Sequence, residues 1–205
     1  MQIVIGDVLS AAEVAHARAV LDAARFADGR ATAGWAARRV KDNEQAEGDM
    51  AVDALRETIE ARLHAHALFA LATRPKIILG PMFSRYAAGH AYGAHVDDAM
   101  IDGVRTDVSF TLFLAEPGSY DGGELVIDSA AGEEAVKLPA GSLIAYPSTA
   151  LPRVAPVTRG TRLAAVGWVR SRARSCSIWR RRGGGSTTAT APVRTSTCCR
   201  SAPPT

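Results

Sequence analysis

Beyond Pro75 the chain breaks into a series of short runs rich in β-branched, aromatic and aliphatic residues. They are KIIL (76–79), MFSRYA (82–87), VSFTLFLA (108–115), ELVID (124–128), AVKL (135–138), SLIAY (142–146), RVAPV (153–157) and TRLAAVGWVR (161–170). Residues that reverse or interrupt a strand separate them: Gly80-Pro81, Gly89, Pro117-Gly118, Asp121-Gly122-Gly123, Ala131-Gly132, Pro139-Ala140-Gly141 and Arg159-Gly160. Each run is too short for a stable helix and suits a half-buried pleated strand. Many such strands at close spacing indicate a sandwich or barrel. The expected fold is mainly β with N-terminal helices (α+β), the β part a jelly roll.

Before Pro75 the hydrophobic period is that of a helix. Ser10 and Glu13 form an S-x-x-E capping box, with Leu9 and Val14 placed as a hydrophobic staple. Val14, Ala17, Leu21 and Ala24 share a face, so a helix is expected over 10–28, stopped by Gly29. A second is expected over about 46–69, with Val52, Leu55, Ile59 and Leu63 on one face. His64 and His66 lie on it two positions apart, on different faces, and read as surface or packing residues. Between the helices, GRATAGWAARRVKDNEQ reads as loop or short strand.

The chain of 205 residues has a formal net charge of +3, but the sign is unevenly distributed. From Ser171 onward there are seven Arg, no Lys and no acidic residue, which leaves seventeen of the 24 basic residues against all 21 acidic ones in the first 170. A mildly acidic globule thus precedes a basic segment. All three cysteines (Cys176, Cys198, Cys199) lie in that segment, so the globule has neither a disulfide nor a thiolate metal site, which fits a cytoplasmic location. No apolar run reaches the roughly 18–20 residues of a membrane span. The first residues carry no basic stretch followed by an apolar one, so no secretory leader is expected. The organisation expected is a helical region over 1–75 packed on a β-sandwich core over 76–170, then an Arg/Ser/Thr-rich tail over 171–205. The tail has the composition of a disordered segment or of a reading frame translated out of phase. Nucleic-acid binding through the tail is a competing role, but few aromatics are available for stacking and the globule is net acidic.

Chemistry concentrates in Tyr92-Gly93-Ala94-His95-Val96-Asp97. On a strand, positions i and i+2 point to one side, so His95 and Asp97 would offer an imidazole and a carboxylate to one point. That is two-thirds of the 2-His-1-carboxylate face that binds Fe(II) and leaves positions open; a surface His beside a turn Asp is the plain alternative. Arg162, opening a strand after the turn at Arg159-Gly160, could grip a carboxylate through two parallel hydrogen bonds. An Arg at a strand edge is the alternative there.

On further segments the chain resembles the bacterial PKHD-type hydroxylases, relatives of prolyl 4-hydroxylases among the Fe(II)/2-oxoglutarate dioxygenases. The matching stretches are FADGRATAG (26–34), VKDNEQ (40–45), HALFALATRP (66–75), FSRYAAGHAYGAHVD (83–97), RTDVSFTLFLAEPGSYDGGELVI (105–127), VKLPAGSLIAYPSTAL (136–151) and RVAPVTRGTRLAAVGWVRS (153–171). The resemblance implies a double-stranded β-helix core, Fe(II), 2-oxoglutarate as cosubstrate and ascorbate as reductant. It implies His95 and Asp97 as metal ligands and Arg162 as the anchor for the distal carboxylate of 2-oxoglutarate. It also implies a hydroxyl from Tyr86 to the same cosubstrate, with a core tyrosine as the alternative. The substrate implied is a small molecule or a peptidyl group.

Two departures stand out. The family pattern reads Leu-His-Arg-Val where this chain has Leu151-Pro152-Arg153-Val154, and that His is the third iron ligand. Proline has no side-chain donor, and none of the five histidines follows His95. His90 could substitute only through an unusual loop geometry. The second departure is the tail, which stands where the family has a helical C-terminal region. Two functions are therefore expected in competition: a hydroxylase impaired at Pro152, and a catalytically inactive jelly-roll protein that retains a 2-oxoglutarate pocket.

Overall fold

The structure, a computed structural model, describes residues 2–129 and 132–172. Expectations for the tail beyond Arg172 lie outside the described residues. The chain begins with β1 (Ile3–Ile5), α1 (Ala11–Ala23), β2 (Phe26–Asp28), two 3-10 turns, β3 (Lys41–Asp42), β4 (Glu44–Ala46), α2 (Met50–Ala65) and α3 (Ala67–Thr73). Strands follow: β5 (Pro75–Tyr86), β6 (Ala91–Tyr92), β7 (Met100–Ile101), β8 (Val104–Arg105), β9 (Val108–Phe113), β10 (Tyr120–Gly122), β11 (Leu125–Ser129) and β12 (Gly132–Val136). The last are β13 (Leu143–Pro147), β14 (Leu151–Val154), β15 (Val157–Gly160) and β16 (Arg162–Ser171).

A seven-stranded sheet in the order β1-β13-β9-β16-β5-β4-β2 is accompanied by a five-stranded sheet in the order β12-β11-β14-β6-β3. The pairings in both are antiparallel. The expected jelly-roll architecture is what these two sheets form. Strand β9 shows how it is held. Phe110 and Leu112 join the helices in one core with Leu21, Ile59, Leu63 and Phe69. Phe113, one step along, joins the second core with Leu125, Ile127 and Ile144. The period of two sends alternate side chains to opposite faces, so a strand buried on both faces reads as the near-continuous apolar run VSFTLF.

The helix starts follow the sequence closely. Ser10 accepts from the Glu13 amide while Glu13 Oε2 accepts from the Ser10 amide, the reciprocal capping box. Such a cap contributes about 1 kcal/mol. The helix ends differ from expectation. The first helix stops at Ala23 rather than running to 28, because Phe26–Asp28 is taken up by pairing with Glu44–Ala46. The second starts at Met50, where Asp49 Oδ1 accepts from the amides of Ala51 and Val52. It breaks at His66, whose Nδ1 accepts from the Phe69 amide and so starts α3.

Three strand expectations are also corrected. Gly80-Pro81 is not a turn between two strands; it lies within the twelve-residue β5, where pairing with β16 skips a residue between Val166 and Trp168. Residues 153–157 are two strands rather than one. At Ala155-Pro156 the chain leaves the five-stranded sheet and β15 pairs with β10 instead. The H-x-D segment is not in a strand: β6 ends at Tyr92 and residues 93–98 are irregular.

Candidate active site

A cleft of about 330 Å³ opens between the two sheets. β5 contributes Ser84 and Tyr86, β9 Thr111, β13 Tyr146 and β16 Arg162 and Trp168 from the larger sheet. The smaller sheet supplies Lys41, Tyr92, Leu125 and Pro152, and the irregular segment supplies His95 and Asp97.

The structure brings His95 and Asp97 together although no strand carries them. The His95 amide donates to the Pro152 carbonyl at 3.2 Å, which ties the segment to β14. The imidazole stacks on the Tyr92 ring, centroids 3.7 Å apart and 11° from parallel. Its Nδ1 lies 2.9 Å from the Gly93 carbonyl oxygen. A carbonyl only accepts, so Nδ1 carries a proton and donates to it, which leaves Nε2 on the cleft side. Nε2 stands 3.6 Å from Asp97 Oδ1, with the two side chains 10 % and 9 % exposed. Two donors at that separation suit one ion with bonds of about 2.0–2.2 Å.

Asp97 is also held in place. Ser109 donates to Oδ2 and is itself 2.9 Å from the Ser148 hydroxyl. Burial opposes the charged carboxylate, but the adjacent His95 ring and the Ser109 hydroxyl outweigh it and keep the group below the usual carboxylate range. Asp97 is therefore an anion near neutrality. Among the described residues, no group of three His, Cys, Asp or Glu side chains converges here or elsewhere. Pro152 is buried on the cleft wall beside His95. His90 does not substitute: it is not in the cleft wall, and its Nδ1 accepts from the Ala87 amide at 3.3 Å, closing the turn before β6.

Arg162 is 1 % exposed, yet its Nε and Nη1 have no hydrogen-bond partner. It opens β16 directly opposite Tyr86 on β5, and its guanidinium carbon lies 5.1 Å from the Tyr86 ring centre and 5.4 Å from that of Phe113. A buried guanidinium is costly unless paired. Aromatic faces offset part of that cost, and the free N–H groups await an anion of the size and planarity of a carboxylate. Burial raises the Tyr86 phenol well above its ordinary value, so its hydroxyl remains a donor.

Residues 81–170 match the model of the 2OG-Fe(II) oxygenase superfamily. A PKHD-type hydroxylase of Picosynechococcus sp. is 55% identical over 152 residues, which is 74% of this chain and 69% of that protein. The chain belongs to the PKHD-type hydroxylase family. Another PKHD-type hydroxylase, from a Synechococcus strain, is 52% identical over 176 residues, covering 83% of this chain and 79% of the relative. Among solved structures, a prolyl-4-hydroxylase of Pseudomonas putida superposes with a TM-score of 0.58 at 25% identity, over 83% of this chain and 92% of that one. As a family, PKHD-type hydroxylases are oxidoreductases that use Fe(II) and 2-oxoglutarate. The cleft fits the cosubstrate through the unpaired Arg162 guanidinium, and fits the metal with two side-chain donors.

Sequence reading missed Lys41, Asn43, Gln45 and Trp168 as parts of the cleft, and Ser109 as the buried support behind Asp97. The first three carry a readable signal: they alternate along VKDNEQ, so they share one side.

Proposed function

We propose that the protein is a 2-oxoglutarate-dependent hydroxylase with iron on His95 and Asp97 and the cosubstrate anchored by Arg162, impaired because Pro152 replaces a third ligand. The observation that carries this reading is the buried Arg162 guanidinium with two unpartnered nitrogens at the back of the cleft that His95 and Asp97 line. Bound iron and 2-oxoglutarate would supply the oxidation, in which O2 and the keto acid yield succinate, CO2 and one oxygen atom for the substrate.

The chain's own residues position and shield. The Gly93 carbonyl holds the His95 ring through Nδ1, Ser109 orients Asp97, and Arg162 takes the distal carboxylate with the Tyr86 hydroxyl in support. The helices and the larger sheet form a rigid backing for these groups. Ascorbate would serve as an outside reductant. The substrate is a small molecule or a peptidyl group. A cytoplasmic location fits the confinement of the cysteines to the last 35 residues, and no described helix is long and apolar enough to cross a membrane. We read residues 1–75 as the helical cover, 76–170 as the core and 171–205 as a separate tail.

A second reading, a non-catalytic protein that keeps the 2-oxoglutarate pocket, is favoured by the lack of a third donor side chain among the described residues. Succinate release on incubation with Fe(II), ascorbate and 2-oxoglutarate separates the two. Slow release that is abolished in His95→Ala supports an impaired enzyme; no release from wild type, with 2-oxoglutarate binding intact, supports the second reading.

A further inference from the structure

Arg162 is not the only buried cation in the cleft. Lys41 is 5 % exposed, and its Nζ donates to Thr32 Oγ1 at 3.1 Å. Among the described residues no carboxylate lies within ion-pair distance of it. The nearby charges that favour its ammonium form are Asp28 and Asp97, and Asp28 is engaged by Arg30 at 3.6 Å.

Lys41 belongs to a built wall. Residues 41–45 cross from β3 at the edge of the smaller sheet to β4 between β5 and β2 in the larger one, Lys41 pairing with Tyr92 and Gln45 with Ser84. Their alternation puts Lys41, Asn43 and Gln45 on the cleft side, 5 %, 3 % and 8 % exposed. The intervening acids face away, where Asp42 meets Arg30 and Glu44 meets Arg85. An edge strap facing a core ordinarily turns apolar residues inward, so this one is inverted. Both polar atoms of the Asn43 amide are buried and lack a well-formed hydrogen bond, although the amide interacts with the Tyr86 hydroxyl. Buried polar groups are paired in the great majority of cases. Gln45 is satisfied, its Oε1 accepting from Thr32 and its Nε2 donating to Met82 Sδ at 3.9 Å, so it is Asn43 and the Lys41 ammonium, with its single acceptor, that point to a ligand.

We propose that Lys41 and Asn43 recognise the substrate, and that the substrate carries a carboxylate beside an amide. Charge supports a single negative group. This step rests on the function proposed above: a divalent ion, dianionic 2-oxoglutarate, Asp97 and Arg162 already neutralise one another, so among the buried charges the Lys41 ammonium is in excess by one. Asp98 and Asp102 lie at the exposed rim of the cleft, and Arg153 is paired with Glu133. One carboxylate restores neutrality. The amide complements the Asn43 side chain, which carries both a donor and an acceptor. The wall also stands beside the reaction centre, because the Tyr92 ring touches both sides: Lys41 Nζ is 5.3 Å from its centre and the His95 ring 3.7 Å.

The test uses the full chain loaded with Zn(II) and saturating 2-oxoglutarate, and separately without either. N-acetylglycine and its uncharged counterpart N-acetylglycinamide are titrated while the lysine side-chain NMR signals are followed; with three lysines in the chain, Lys41 is readily assigned. The expected result is at least a tenfold preference for N-acetylglycine, lost in Lys41→Met with 2-oxoglutarate affinity unchanged. Asn43→Ala should weaken both probes while keeping the preference. Equal affinity for the two probes, or a preference that survives in Lys41→Met, would overturn the proposal. So would a tenfold fall in 2-oxoglutarate affinity in Lys41→Met, which would assign Lys41 to the cosubstrate. Failure of 2-oxoglutarate to bind wild type would instead defeat the cosubstrate reading, and the probe preference measured without it would still decide the role of Lys41.

Discussion

His95 and Pro152 are joined through their backbones: the amide of the first donates to the carbonyl of the second at 3.2 Å. Position 152 therefore sits beside the imidazole on the same cleft wall, where a histidine side chain would lie within reach of a shared ion. Pro152 has no N–H to give to the ladder and no donor to give to a metal. Pro152→His should raise divalent-metal affinity by at least about tenfold, since loss of even an outer partner costs roughly 10–100-fold. Titration with Mn(II), followed by its electron paramagnetic resonance signal, measures this. An unchanged affinity in a folded variant would remove Pro152 as the cause of the proposed impairment.

Arg162 links stability to ligand. Without a bound anion its buried Nε and Nη1 are unsatisfied, a cost of about 1–3 kcal/mol. Arg162→Met should accordingly be as stable as the wild type or more so when no ligand is present, and 2-oxoglutarate should raise the melting temperature of the wild type alone. Thermal unfolding with and without the keto acid checks both halves. A variant that unfolds several degrees lower without ligand would show that the guanidinium is already satisfied.

Lys41 makes stability depend on pH in the alkaline range. Burial depresses its ammonium from 10.5 to about 8, with Asp28 and Asp97 opposing. Between those two values the unfolded chain binds more protons than the folded one, so this group makes the protein more stable as pH rises from 8 toward 10.5. Below pH 8 both states are protonated and the penalty is constant. Lys41→Met should thus be the more stable protein at pH 7, by up to about 3 kcal/mol, with the gap closing between pH 8 and 10.5. Urea midpoints across that range test it, and a gap independent of pH would contradict it.

Gly29 keeps Asn43 in the wall. A Cβ at Gly29 would stand 2.0 Å from Asn43 Oδ1. Gly29→Ala should cost about 1–3 kcal/mol through overpacking, and less in an Asn43→Ala background, because the clash is with that side chain. A double-mutant cycle by denaturant unfolding reads the coupling; strict additivity would place the strain elsewhere.

Much of the fold is legible in the chain because its strands are short, apolar and separated by turn residues, and because the Ser10–Glu13 box and the Val52–Leu63 face are local signals. What sequence misses is set by tertiary pairing. Phe26–Asp28 leaves the helix only because Glu44–Ala46 is there to pair with it, and nothing local marks the skip in pairing opposite Gly80-Pro81. The spacing of His95 and Asp97 suggests a shared direction, but what brings them together is backbone capture by Pro152 and stacking on Tyr92 rather than strand alternation. Arg162 stands out in the chain only as a strand opener shortly after the Arg159-Gly160 turn. Lys41, Asn43 and Gln45 were passed over because charged and amide residues between helices read as solvent-facing loop, and only the three-dimensional course of the strap turns them inward.

The most direct measurement is calorimetric titration of 2-oxoglutarate, without oxygen, into wild type, His95→Ala and Arg162→Ala, each with and without Mn(II). Binding to the wild type should be strengthened by the metal, that strengthening should vanish in His95→Ala, and Arg162→Ala should bind at least about a hundredfold more weakly, as expected for loss of a buried charge-paired hydrogen bond of about 3 kcal/mol. Equal binding by all three proteins, with or without the metal, would contradict a shared site for residues 95, 97 and 162.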